Sequence, residues 1–157
     1  MTHHRRRNNG IDPSKINETV ELSPAQRYAA FKQTQAKQRT VAAEFARSMP
    51  FELDEFQMQA NDALEAGDNV LVAAPTGAGK TVAADFAIYL AQTRNVKAFY
   101  TTPIKALSNQ KYHDLVDQYG TDKVGLLTGD TSINSEADIV VMTTEVLRNM
   151  LYEHSVT

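Results

Sequence analysis

Residues 70–81 read Val70-Leu71-Val72-Ala73-Ala74-Pro75-Thr76-Gly77-Ala78-Gly79-Lys80-Thr81, an apolar run opening into a Gly-rich turn that ends in Lys-Thr. Helix-forming sequence follows directly, Val82-Ala83-Ala84-Asp85-Phe86-Ala87-Ile88-Tyr89-Leu90. Strand, Gly-rich turn and helix start in this order make a phosphate-binding loop. Gly77 and Gly79 can adopt positive φ, so successive backbone N–H groups converge on phosphate oxygens at a helix N-terminus. Lys80 adds a full positive charge, and Thr81 offers a hydroxyl to a Mg2+ ion that bridges the β- and γ-phosphates. Ala74, Pro75, Thr76, Gly77, Ala78, Gly79, Lys80 and Thr81 are therefore the candidate nucleotide site, with ATP and Mg2+ as cofactors. Lys80 and Thr81 are its candidate catalytic residues. Ala74 stands where the strict pattern has Gly. The dinucleotide fingerprint G-x-G-x-x-G is excluded because Val82 occupies its third glycine position.

A length of 157 residues and an apolar fraction of 42% suffice for one domain with a real core, not for two. Cysteine is absent, which excludes a disulfide framework and thiolate metal sites. His3 and His4 are adjacent, while His113 and His154 stand alone, so surface or packing roles are expected for all four. No apolar stretch approaches 18 residues and no signal-peptide core is present, which gives the expectation of a cytoplasmic protein without membrane contact. Charge is distributed unevenly: residues 1–50 carry a net of +5 and residues 51–157 a net of −8. Bulk electrostatics therefore do not make the nucleotide-binding part a nucleic-acid binder, and any such contact must come from local geometry.

Residues 1–22 are polar and lack periodicity, as expected of a disordered tail. Ser23-Pro24 looks like a helix start. It opens a helical extension over residues 23–49, predicted as one long helix to Arg47 with Tyr28, Phe31, Val41 and Phe45 as packing residues. Beyond Pro50, over residues 50–157, helices and strands alternate. Helices are predicted over 56–66, 81–92, 107–119 and 144–152, and strands over 70–73, 97–101, 124–127 and 139–142. Short apolar strands between amphipathic helices argue for right-handed βαβ units, an α/β fold on a parallel sheet with flanking helices. Ligands of such sheets sit at the carboxyl ends of the strands.

At those ends the chain places Thr101-Thr102-Pro103-Ile104-Lys105-Ala106-Leu107-Ser108-Asn109-Gln110-Lys111, then Thr128-Gly129-Asp130, then Thr143-Thr144-Glu145. Hydroxyls and helix starts of this kind can hold a sugar-phosphate backbone without reading bases, and each taken singly also serves as a helix cap.

Together with Phe51-Glu52-Leu53-Asp54-Glu55-Phe56-Gln57 and Leu126-Leu127 before Thr128, these segments resemble, in order, the opening motifs of superfamily 2 helicases. The run from Pro103 to Lys111 is the most specific and resembles the superkiller or exosome-cofactor subgroup of DExH-box RNA helicases, most closely the bacterial HelY-type members. The resemblance covers residues 51–157. It implies a P-loop NTPase (RecA-like) fold preceded by an N-terminal helix, and ATP hydrolysis coupled to unwinding in a longer enzyme. It also makes Ala74 ordinary, assigns Gln57 to the adenine edge with Phe51 stacking or packing nearby, and puts Pro103, Lys105, Thr128, Gly129, Thr143 and Thr144 along a track for single-stranded RNA, with DNA as the alternative polymer. The family's next motif, a strand ending in Asp-Glu-x-His, is not among these 157 residues. The sheet is thus expected to be incomplete, the domain truncated before that motif, and this chain alone inactive. A non-catalytic nucleotide- or RNA-binding module and a DNA-directed helicase are the competing readings.

Overall fold

The computed structural model describes residues 23–154 apart from Thr76 and Ala78, with the side chains of Lys37, Gln38 and His154 also left out. The expected tail over 1–22 lies outside the described residues. The chain divides into two bodies, Met1–Gln38 and Arg39–Thr157.

In the first body, α1 (Pro24–Gln38) begins at a reciprocal cap: Ser23 Oγ accepts the Gln26 N–H at 3.3 Å, and Gln26 Oε1 accepts the Ser23 N–H at 2.8 Å. Tyr28 and Phe31, expected to pack, are 62% and 58% exposed. The single long helix predicted here is in fact two. The second body opens with α2 (Val41–Ser48), whose N-cap Thr40 accepts the Ala43 N–H through Oγ1 at 3.2 Å. Glu65 caps the same helix from outside, its two carboxylate oxygens accepting the Val41 and Ala42 N–H groups at 3.0 and 2.8 Å. Those orphan N–H groups end one helix and start another in a run that has neither Gly nor Pro to mark the break. The extension expected over 23–49 therefore splits between the two bodies.

Next comes α3 (Glu55–Ala66), which stops at Gly67, and α4 (Thr81–Thr93), which starts at the Gly-rich turn. Phe45 of α2 lies edge-on to Phe86 of α4 at 5.3 Å between centroids, and with Ala42, Val82 and Leu90 the pair makes a buried cluster joining α2 to α4. The remaining elements are β1 (Ala98–Thr102), α5 (Lys105–Tyr119), β2 (Val124–Leu127), β3 (Ser132–Ile133), β4 (Ile139–Thr143) and α6 (Thr144–His154).

The sheet runs β1-β4-β2-β3, with β1, β4 and β2 parallel and β3 antiparallel to β2. β4 is central and buried on both faces, which is why Ile139-Val140-Val141-Met142 is a continuous apolar run rather than an alternating one. Ile139 and Val141 join Val124, Leu126, Ile88 of α4 and Leu115 of α5 on one face; Val140 and Met142 meet Val146, Leu147 and Met150 of α6 on the other.

Two expectations need correction. Residues 70–73, predicted as a strand, form no ladder with any described residue, and Leu71 is 94% exposed. Local sequence can favour an extended chain, but a strand exists only where a neighbour accepts its hydrogen bonds, and the four described strands pair among themselves. Conversely, β3 was not expected. It is a hairpin return just two residues long, with both residues exposed, so it leaves no hydrophobic pattern.

Candidate functional site

The described part of the Gly-rich turn holds two glycines in the left-handed region. Gly77 and Gly79 sit at φ 82° and 73°, values an L side chain rarely adopts. Lys80 follows in helical geometry as the N-cap of α4, and Thr81 is its first residue; both are exposed. Two positive-φ glycines, an uncapped helix N-terminus and an exposed lysine suit a triphosphate's charge. For Mg2+, the described residues hold no cluster of three or more His, Cys, Asp or Glu, so the Thr81 hydroxyl is the ligand this loop offers. That donor set fits an ion held chiefly by phosphates and water. Ala74 is partly buried and Pro75 exposed, whereas Thr76 and Ala78 lie outside the described residues.

Gln57 reaches this turn from α3. Its Oε1 accepts the Asp54 N–H at 2.8 Å, the return half of a capping box, and its Nε2 donates to the Gly79 carbonyl at 2.9 Å. Both ends of a side chain only 4% exposed are thus engaged within the protein. A Cβ on Gly79 would stand 2.5 Å from Nε2, so glycine is needed there for the approach of Gln57 as well as for φ. Phe51 stays half exposed.

The second group of candidates lies along the carboxyl edge of the sheet. Register pairs Thr102 of β1 with Thr143 of β4, and Leu127 of β2 with Met142 of β4. Pro103 and Lys105 at the end of β1, Thr143 and Thr144 at the end of β4, and Thr128 and Gly129 at the end of β2 therefore follow one another across three neighbouring strands. Adjacent strands are about 4.8 Å apart. Hydroxyls fix the edge: the buried Thr102 and Ser108 are hydrogen-bonded at 2.6 Å, joining β1 to α5, and the exposed Thr144 donates through Oγ1 to the Thr102 carbonyl at 3.1 Å, joining α6 to β1. A cleft of about 550 Å³ links the two candidate regions, since Thr81 and Asp85 line it together with Tyr100, Pro103, Gln110 and Lys111. Across it Lys111 Nζ pairs with Asp85 Oδ1 at 2.6 Å and lies 5.2 Å from the Tyr100 ring centroid.

Not every track candidate has a free donor. The Thr144 hydroxyl is spent on Thr102, and the Thr128 hydroxyl donates to Asp130 Oδ1 at 3.0 Å while its N–H donates to the Thr131 carbonyl at 2.8 Å. Asp130 also takes Lys105, Nζ to Oδ2 at 2.6 Å. The Lys105 ammonium first, then the Thr128 hydroxyl, hold the Asp130 carboxyl below the usual carboxylate range. Sequence reading assigned Asp130 and the Asp85–Lys111 pair no role. Lys105 and Asp130 are 25 residues apart and Asp85 and Lys111 26 apart, on separate segments that only the folded chain brings together, and no local pattern signals that.

Comparison with known proteins gives a consistent picture. The chain matches the DEAD/DEAH box helicase family over residues 54–157. It is 62% identical over 111 residues to the probable helicase HelY of Mycobacterium tuberculosis, covering 71% of this chain and 12% of that protein. Against the antiviral helicase SKI2 of Saccharomyces cerevisiae it is 55% identical over 107 residues, 68% of this chain and 8% of that one. Against the chloroplastic DExH-box ATP-dependent RNA helicase DExH15 of Arabidopsis thaliana the identity is 52% over 103 residues, 66% of this chain and 9% of the relative. The chain thus spans about a tenth of the length of these relatives. Among solved structures, a hypothetical ATP-dependent RNA helicase from Sulfolobus tokodaii is similar at 28% identity and a TM-score of 0.52, over 73% of this chain and 36% of that one. A RecA-like, mostly parallel sheet with flanking helices, a Gly-rich turn opening α4 and this pattern of similarity together make the chain a member of the DEAD/DEAH box helicase family.

Proposed function

We infer that this chain is the ATP-binding portion of an ATP-dependent RNA helicase, the first part of a motor domain whose turnover belongs to a longer polypeptide. The observation that carries the reading is the cleft shared by Thr81, at the phosphate loop, and Pro103, at the carboxyl edge. A shared wall lets occupancy of one region be felt at the other.

Within that reading each residue has a defined task. Backbone N–H groups of the loop and the α4 N-terminus orient the triphosphate. Lys80 offsets charge on the β- and γ-phosphates, and the Thr81 hydroxyl is one ligand of Mg2+, which supplies electrostatic stabilisation of the transferring phosphoryl group. Gln57 exchanges its amide contact with Gly79 for the adenine edge. Pro103, Lys105, Thr128, Gly129, Thr143 and Thr144 follow the sugar-phosphate backbone, which sets register without reading sequence. A water-positioning carboxylate and an arginine finger, the latter worth roughly 10³–10⁵ in rate, come from outside these residues.

ATP turnover of the full-length polypeptide, measured with RNA, with DNA and without polymer, tests the reading. RNA-stimulated turnover that falls at least about 100-fold in Lys80→Ala is expected. Equal stimulation by DNA would remove the RNA assignment. Lys80-dependent turnover by the 157-residue chain alone would show that the machinery is not divided as proposed.

A further inference from the structure

One carboxylate engages two groups that the proposed track assigns to RNA. Asp130 takes the Lys105 ammonium on Oδ2 at 2.6 Å and the Thr128 hydroxyl on Oδ1 at 3.0 Å, with Thr131 Oγ1 also donating to Oδ1 at 3.3 Å. Donors from the ends of two different strands thus converge on a single anion. That is the coordination a phosphate receives from a backbone-tracking edge.

The position of Lys105 sharpens the point. It is the first residue of α5, whose first turn contains no acidic residue and whose N-cap, Ile104, has no side-chain acceptor. A helix N-terminus carries partial positive charge, so a lysine there is unfavourable unless an anion accompanies it. Asp130 is that anion in this structure. The pair is also easily exchanged: the Lys105 and Asp130 side chains are 50% and 66% exposed, and exposed ion pairs contribute little to stability.

We propose that the Asp130 carboxylate occupies the place of a nucleic-acid phosphate between Lys105 and Thr128 and gives it up when RNA binds. Asp130 therefore sets the threshold for RNA binding instead of adding to it. Its departure frees an ammonium and a hydroxyl together, so the two donors become available in one event. The proposal rests on the carboxyl edge being the RNA track.

The test is the affinity of the full-length helicase for an oligouridylate at several salt concentrations, for the wild type, Asp130→Asn, Lys105→Ala and the double variant. Asn preserves the shape of the loop and removes the charge. Asp130→Asn should bind RNA about 3- to 10-fold more tightly with a log K against log salt slope close to that of the wild type, since Lys105 meets the same phosphate in both once the carboxylate is gone, whereas Lys105→Ala should flatten the slope by up to about 0.7, the increment for one phosphate contact on a single strand. Asp130→Ser, which keeps a partner for the Thr128 hydroxyl, should show the same gain. In the Lys105→Ala background the gain from Asp130→Asn should fall below about 2-fold. An equal gain in both backgrounds would overturn the proposal in favour of simple charge repulsion. No gain, or a loss, in Asp130→Asn would overturn it while leaving the track in place, provided Lys105→Ala weakens binding. If Lys105→Ala leaves RNA affinity unchanged, the track itself is misplaced and the proposal falls with it.

Discussion

Gly125 sits in β2 beneath the returning strand β3, and replacing it with alanine probes how the hairpin that carries Thr128, Gly129 and Asp130 is held. A Cβ built on Gly125 would stand 2.9 Å from both the Ile133 carbonyl oxygen and the Asn134 carbonyl carbon, and nearer still to the Asn134 oxygen. All three are backbone atoms, so no side-chain rotation relieves the overlap. Relief needs a backbone shift on the order of 1 Å, and overpacking of this kind costs about 1–3 kcal/mol, with values toward the upper end expected where only backbone can move. β3 is the element that yields. It is held to β2 by the pairs Leu126–Ile133 and Leu127–Ser132 and by the Thr128 N–H on the Thr131 carbonyl, against a full parallel ladder on the other side of β2. The assay is amide hydrogen exchange in the full-length protein. At about 2–3 kcal/mol, the hairpin over residues 126–134 should lose roughly 30- to 150-fold in protection while the β1–β4 ladder keeps its own. Gly129→Ala is the control, because nothing lies within 4 Å of a Cβ there. Unchanged exchange in Gly125→Ala, or equal loosening in both variants, would refute the steric argument.

Two further outcomes follow from contacts described above. Glu65→Ala removes both external acceptors of the α2 N-terminus, which should destabilise that helix by about 1–2 kcal/mol and speed exchange over residues 41–48 roughly 5- to 30-fold, with α4 much less affected; protection of α2 equal to wild type would show that Thr40 alone suffices. The Asp130 carboxyl should titrate below the ordinary carboxylate value of about 3.9, so the Lys105 pair persists as pH falls toward that value and is lost only as pH passes through the lowered pKa. A carboxyl-carbon titration by NMR with a midpoint at or above the ordinary value, or one that Lys105→Ala fails to raise, would count against the ion pair.

The features legible in the sequence are those set by local chemistry. The positive-φ glycines announced the turn, and Thr81-Val82-Ala83 and Gly67 marked a helix start and a helix end within a residue or two. The unbroken apolar run 139–142 correctly read as a strand, and it fails to alternate because both its faces are covered. What failed depends on partners. Residues 70–73 have strand composition but no described neighbour to bond with, and Thr40 divides a seemingly continuous helix because Glu65, from another helix, supplies the acceptors. A separate matter is the Thr128 and Thr144 hydroxyls, track candidates whose engagement by Asp130 and Thr102 no local pattern could show. Hydroxyls advertise capacity in a sequence, whereas their occupation is a property of the folded chain.

The strand order also governs how the sheet can come together. β4 lies between β1 and β2, so neither earlier strand has a parallel neighbour until β4 arrives. Pairing Val124 with Ile139 closes a loop of 15 residues, whereas pairing Ala98 with the same Ile139 closes one of 41. By loop-closure entropy the longer connection costs about 0.9 kcal/mol more. Ile139 is the first β4 position in both registers, so the two closures meet on one residue. A shift of β4 by a single residue would exchange its two apolar faces and break both connections at once. The strand that unites the sheet is therefore also where an error in alignment is least able to persist.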